Sequence, residues 1–85
     1  MINKTVTINL SADAEERPVA VLVQIASKFD SKIFLVSNNK RINAKSIMGM
    51  MSLGFAKGNE LVIEADGEDE ENAVRELTNY IESRG

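Results

Sequence analysis

Short stretches with apolar residues at every second position alternate along this chain with stretches where they recur every third or fourth. Each stretch is apolar on one side only, so every element it encodes has a single face to bury. Val6, Ile8 and Leu10 alternate with Thr5, Thr7 and Asn9, predicting a first strand over Lys4 to Leu10. Pro18 suits the first turn of a helix, where its missing N–H costs nothing. Val19, Leu22, Val23, Ala26 and Phe29 then follow as one helical stripe. Lys32 to Val36 is β-branched and aromatic, and Asn38-Asn39 can take the positive φ angles of a tight turn, so Arg41 to Asn43 returns as a hairpin partner. Leu61, Ile63 and Ala65 predict a fourth strand, with Gly67 marking its exit. The acidic run Glu68 to Glu71 suits the positive end of a last helix, whose buried stripe is Ala73, Val74, Leu77, Tyr80 and Ile81. The order is βαββαβα, and four short strands with single-stripe helices predict an α+β open-faced sandwich, a sheet covered on one side.

The 85 residues form one domain, residues 1–85, and at 44% hydrophobic they can close one small core. There is no linker, repeat or low-complexity segment. No apolar run approaches the ~18 residues of a membrane span, and the N-terminus lacks the apolar region of a signal peptide. The absence of cysteine excludes disulfides and thiolate metal ligands. A cytoplasmic protein without cofactor or metal is expected. The net charge of −3 divides unevenly: residues 1–58 carry eight Lys/Arg against four Asp/Glu, and residues 59–85 carry two against nine. The acidic end argues against nucleic-acid binding, which depends on phosphate contacts. It reads most simply as a solvated helix face.

Ser46 is placed to cap a short helix running through Met51 or Leu53 and ended by Gly54. A phosphate on such a hydroxyl would face unpaired backbone N–H groups, with Lys45 as a neighbouring positive charge. A helix of barely two turns cannot bury all of Ile47, Met48, Met50, Met51 and Leu53 against one sheet. Some must be exposed, and flexible Met side chains suit an adaptable docking surface. Nothing in the chain supplies a glycine-rich phosphate loop, so no kinase activity of its own is expected, and no catalytic residue is assigned.

Asn43 through Leu53, with its Lys-Ser-Ile-Met-Gly-x-Met-Ser-Leu run and the following Ala56-Lys57-Gly58, closely resembles the regulatory serine region of the HPr family of the bacterial sugar phosphotransferase system. The resemblance implies an antiparallel four-stranded sheet with three helices on one face. It also implies that Ser46 is phosphorylated by HPr kinase/phosphorylase. The family's active loop, roughly Gly-Ile-His-Ala-Arg-Pro-Ala, is here Asp13-Ala14-Glu15-Glu16-Arg17-Pro18-Val19, and the chain contains no histidine. Glu15 falls at the carrier-histidine position. A carboxylate is a poorer nucleophile than neutral imidazole, so the chain is similar to the branch of the family that lacks the carrier histidine and serves catabolite repression. Glu15 is either a neutral surface replacement or a negative charge beside Arg17 that imitates a phosphorylated histidine.

In the family, the apolar patch beside the serine contacts the transcriptional regulator catabolite control protein A. The positions implied here are Ile47, Met48 and Met51 with Lys45, and Glu15, Arg17, Ala20, Val21 and Gln24 from the first helix. The expected function is a non-enzymatic regulator, phosphorylated on Ser46 and acting as corepressor of that regulator. The alternatives are a phosphocarrier component working through another acceptor such as Glu15, and a control module for a metabolic enzyme. The first strand would also allow homodimer formation if it lies at a sheet edge.

Overall fold

A computed structural model describes residues 1–9, 17–37, 39–52 and 58–82, with residues 17–19 described by their backbone alone. The elements are β1 (Ile2–Thr7), α1 (Arg17–Ser27), β2 (Lys32–Ser37), β3 (Lys40–Asn43), α2 (Ile47–Met51), β4 (Glu60–Asp66) and α3 (Glu70–Glu82). They follow the expected βαββαβα order. The strands form one sheet in the order β1-β4-β2-β3, and each neighbouring pair is antiparallel.

The alternation in each strand divides the sheet into a covered and an open face. Ile33 and Leu35 of β2 and Leu61, Ile63 and Ala65 of β4 are buried. Above them lie Leu22 and Ala26 of α1, Met50 of α2, and Ala73, Val74, Leu77 and Ile81 of α3. The open face carries Phe34, Val36, Val62 and Glu64, all half-buried. There the Arg41 guanidinium stacks 3.8 Å above the Phe34 ring, and its Nε donates to Glu64 at 2.9 Å.

β1 lies earlier than its sequence pattern predicts. It pairs with β4 from Ile2↔Ala65 to Thr7↔Glu60 and not over Lys4 to Leu10. Lys4 shares the inward register of Ile2 and Val6 but stays exposed, because that end of the edge strand borders an open groove against α3. The charge interrupts the alternation and masks the strand's start. At the other end, the Ile8 N–H still donates to Asn59 at 2.8 Å, but the Asn9 N–H turns to the Ile81 carbonyl of α3 at 2.9 Å. Ile8 is buried as expected; Leu10 lies outside the described residues.

Most other boundaries agree with expectation, but α1 ends at Ser27, so Phe29, expected on its stripe, lies half-buried just beyond the helix. A two-residue connection joins β2 to β3, and Asn39 takes a φ of 69°. Pro18 sits in the first turn of α1. On α3 the buried stripe includes Thr78, while Tyr80 is only partly buried. The turn into α3 passes so close to β2 that a Cβ on Gly67 would lie 2.5 Å from the Ser31 Oγ and 2.7 Å from its Cα. Asp69 closes the same junction, its carboxylate accepting from the N–H of Asp30 at 2.8 Å, from the N–H of Ser31 at 3.0 Å and from the Ser31 hydroxyl. Those donors, the Ser31 hydroxyl foremost, hold the Asp69 carboxyl below its ordinary pKa.

Candidate functional site

The segment after β3 is anchored before α2 begins. The Ala44 N–H donates to the Ile33 carbonyl at 2.9 Å, and Ala44 is fully buried. The Asn43 side chain accepts from the Lys45 N–H at 2.8 Å, and its carbonyl accepts from the Ser46 N–H at 3.0 Å. This is an Asx-type turn in which a short polar side chain stands in for backbone. Ser46 thus arrives in an extended conformation (φ −105°, ψ 113°), and its hydroxyl accepts from the Gly49 N–H at 3.3 Å. The Ser46 carbonyl accepts from the Met50 N–H at 2.9 Å, starting the helix. Ser46 is therefore the N-cap that the sequence predicts.

Five residues of α2 divide cleanly. Met50 is completely buried and holds the helix to the core, whereas Ile47, Met48 and Met51 are 49%, 81% and 64% exposed. Position 49 is tight: a Cβ would come within 3.0 Å of the Ile42 Cγ2 and 3.4 Å of the Ser46 Oγ, so either side chain would have to shift slightly. The helix ends at Ser52, whose N–H and hydroxyl both donate to the Gly49 carbonyl, at 3.1 and 2.7 Å. Leu53, Gly54, Ala56 and Lys57 lie outside the described residues.

α1 is in contact with α2. Of the α1 positions implied in docking, Ala20 and Val21 are half-buried and Gln24 is exposed. Arg17 opens α1, described by its backbone only, and Glu15 lies outside the described residues. The Lys45 side chain does not stand free beside the serine. Its Nζ donates to the Phe29 carbonyl, just past the end of α1, at 2.6 Å. Sequence reasoning missed this tether and the Asn43 turn. The Asn43 residue type signals the turn, but nothing in the sequence signals the carbonyl that Lys45 reaches.

Among the described residues no group of three His, Cys, Asp or Glu could hold a metal ion, and no helix is long and apolar enough to cross a membrane. The site thus sets the half-buried Ser46, at a helix cap, beside an exposed apolar patch of Ile47, Met48 and Met51.

Comparison with known proteins agrees with this fold. The family model described as "PTS HPr component phosphorylation site" matches residues 2–83. The HPr-like protein Crh of Bacillus subtilis is 42% identical over 82 residues, covering 96% of each chain. Among solved structures, HPr-C-His from Thermoanaerobacter tengcongensis superposes with a TM-score of 0.90 at 46% identity, covering 99% of this chain and 94% of its own. Crh of B. subtilis, described as a dimer with a swapping domain, gives 0.72 at 43% identity, covering 89% and 83%. Identity does not separate the two branches, since HPr and Crh are similarly close. The chain belongs to the HPr family.

Proposed function

We propose that this protein is a regulatory, histidine-lacking member of the family, phosphorylated on Ser46 by HPr kinase/phosphorylase and then acting as corepressor of a catabolite control protein A-type regulator. The observation that carries this reading is the capping Ser46 hydroxyl beside exposed Ile47, Met48 and Met51 in a sequence without histidine. Phosphate adds about −1.5 to −2 charges and strong acceptor oxygens at that point. Charge-assisted hydrogen bonds contribute about 1.5–3 kcal/mol each, so two would change affinity by at least a hundredfold. The apolar side chains beside the phosphate supply the desolvated part of the interface. Glu15, Arg17, Ala20, Val21 and Gln24 complete the docking face from the α1 side, with Arg17 pairing with an acidic group or phosphate.

The test has two stages. The protein is incubated with HPr kinase and ATP beside authentic HPr, and the modified residue is mapped by mass spectrometry. Modified and unmodified protein are then titrated against catabolite control protein A. Phosphate on Ser46 and a phosphate-dependent rise in affinity are expected; no label on Ser46 while HPr is labelled overturns the reading. Incubation with phosphoenolpyruvate and enzyme I tests the carrier alternative, and no labile label on Glu15 is expected.

A homodimer is also proposed. β1 lies at the sheet edge, where unpaired backbone groups can meet another strand, and Crh of B. subtilis is described as a dimer.

A further inference from the structure

We infer that Met48 and Met51 form a second modification site, a pair of thioethers open to hydrogen peroxide and related two-electron oxidants, whose oxidation switches off the docking face. The inference rests on the proposed docking role of α2, and deepens it by adding a control independent of Ser46. Three methionines occupy four consecutive positions, and the fold treats them oppositely: Met48 is 81% exposed, Met51 is 64% exposed, and Met50 between them is sealed in the core. Susceptibility to oxidation follows exposure. In the reaction the thioether sulfur attacks one peroxide oxygen. An S–O bond forms, the O–O bond breaks, and the departing hydroxide takes the proton of the attacked oxygen and leaves as water; sulfur loses two electrons and the peroxide gains them.

The product is polar and branched where the docking face was apolar and adaptable. A partner that buries these side chains would then bury sulfinyl oxygens without donors, weakening docking by roughly tenfold to a hundredfold. The fold itself has no reason to respond, because Met50 alone of the three supports the core. Met1, also exposed at 71%, lines the separate groove by Phe34 and Arg41 and serves as an internal comparison. Methionine sulfoxide reductases reverse the change.

The Ser46-phosphorylated protein is treated with graded hydrogen peroxide and mapped by peptide mass spectrometry. It is then measured in three ways: circular dichroism, retention on a hydrophobic interaction column, and affinity for catabolite control protein A. One added oxygen on each of Met48 and Met51 is expected before any on Met50, with an unchanged spectrum, earlier elution and weakened docking that reductase restores. The M48L/M51L double variant, which keeps Met1, is compared only with itself: peroxide is expected to oxidise its Met1 and to leave its own affinity for the regulator unchanged. Oxidation of Met50 at the rate of its neighbours, or full modification of Met48 and Met51 without loss of docking by a protein that docks when reduced, overturns the proposal. If the reduced, phosphorylated protein does not dock, the regulator reading fails by itself. The column retention then decides the modification site: a peroxide shift in the parent beyond that of M48L/M51L, whose Met1 is oxidised as well, upholds it, and equal shifts overturn it.

Discussion

Ser46 has a structural duty as well as a proposed chemical one. Its hydroxyl accepts from the Gly49 N–H at the start of a five-residue helix, and loss of such a cap costs about 0.5–2 kcal/mol. Ser46→Ala is therefore expected both to block labelling by HPr kinase and to lower the unfolding free energy from urea titration by that amount. A variant that resists labelling yet unfolds as the parent does would show that the cap contributes nothing. Gly67 carries a stricter demand. Its added Cβ would meet the Ser31 backbone at 2.7 Å, and the backbone cannot rotate away as a side chain can. Gly67→Ala is expected to cost about 1–3 kcal/mol from overpacking, read in the same denaturation experiment.

Among elements, the turn from α1 into β2 is held from two sides. Lys45, ahead of α2, donates to the Phe29 carbonyl, and Asp69, ahead of α3, accepts from Asp30 and Ser31. Lys45→Met keeps the aliphatic stem and removes the ammonium donor, so it isolates the tether. Faster amide exchange across Phe29–Ser31 is expected, with a stability loss of about 1 kcal/mol. Unchanged exchange there, together with weaker docking, would assign Lys45 to the partner instead. Asp69 makes the same turn acid-sensitive. Its folded pKa is depressed below the ordinary 3.8, and that of Glu70 is depressed below 4.5, first by the Gly67 N–H. Their contribution is fully present above those ordinary values and is lost as pH falls through the lower folded ones. Unfolding midpoints should thus fall on acidification below pH ~4, and Asp69→Asn should flatten part of that slope.

At the scale of the whole molecule, one core shared by β1, β2, β4 and the three helices, with Ile42 of β3 packed against it, argues for cooperative unfolding. A chain of 85 residues is expected to be stable by about 4–13 kcal/mol. Circular dichroism and Tyr80 fluorescence should give coincident transitions; separated midpoints would reveal an independently melting element.

Periodicity alone determined most of the architecture, because a strand or helix with one face to bury writes that face into its sequence. The stripe of α3 and the Leu22–Ala26 part of that of α1 were legible for that reason, whereas the β2–β3 hairpin and the Ser46 cap were legible from turn and capping residue types. The likeness of Asn43 through Leu53 to the family's serine region made Ser46 legible as a site as well. Tertiary structure decided what depends on neighbours distant in sequence. Lys4 hid the start of β1 because an edge position tolerates a charge that a central strand would reject. The Lys45 ammonium found a carbonyl sixteen residues away, and three similar methionines were sorted into one anchor and two exposed thioethers. A local pattern records which face of an element is apolar, but only packing determines how much of that face finds a cover.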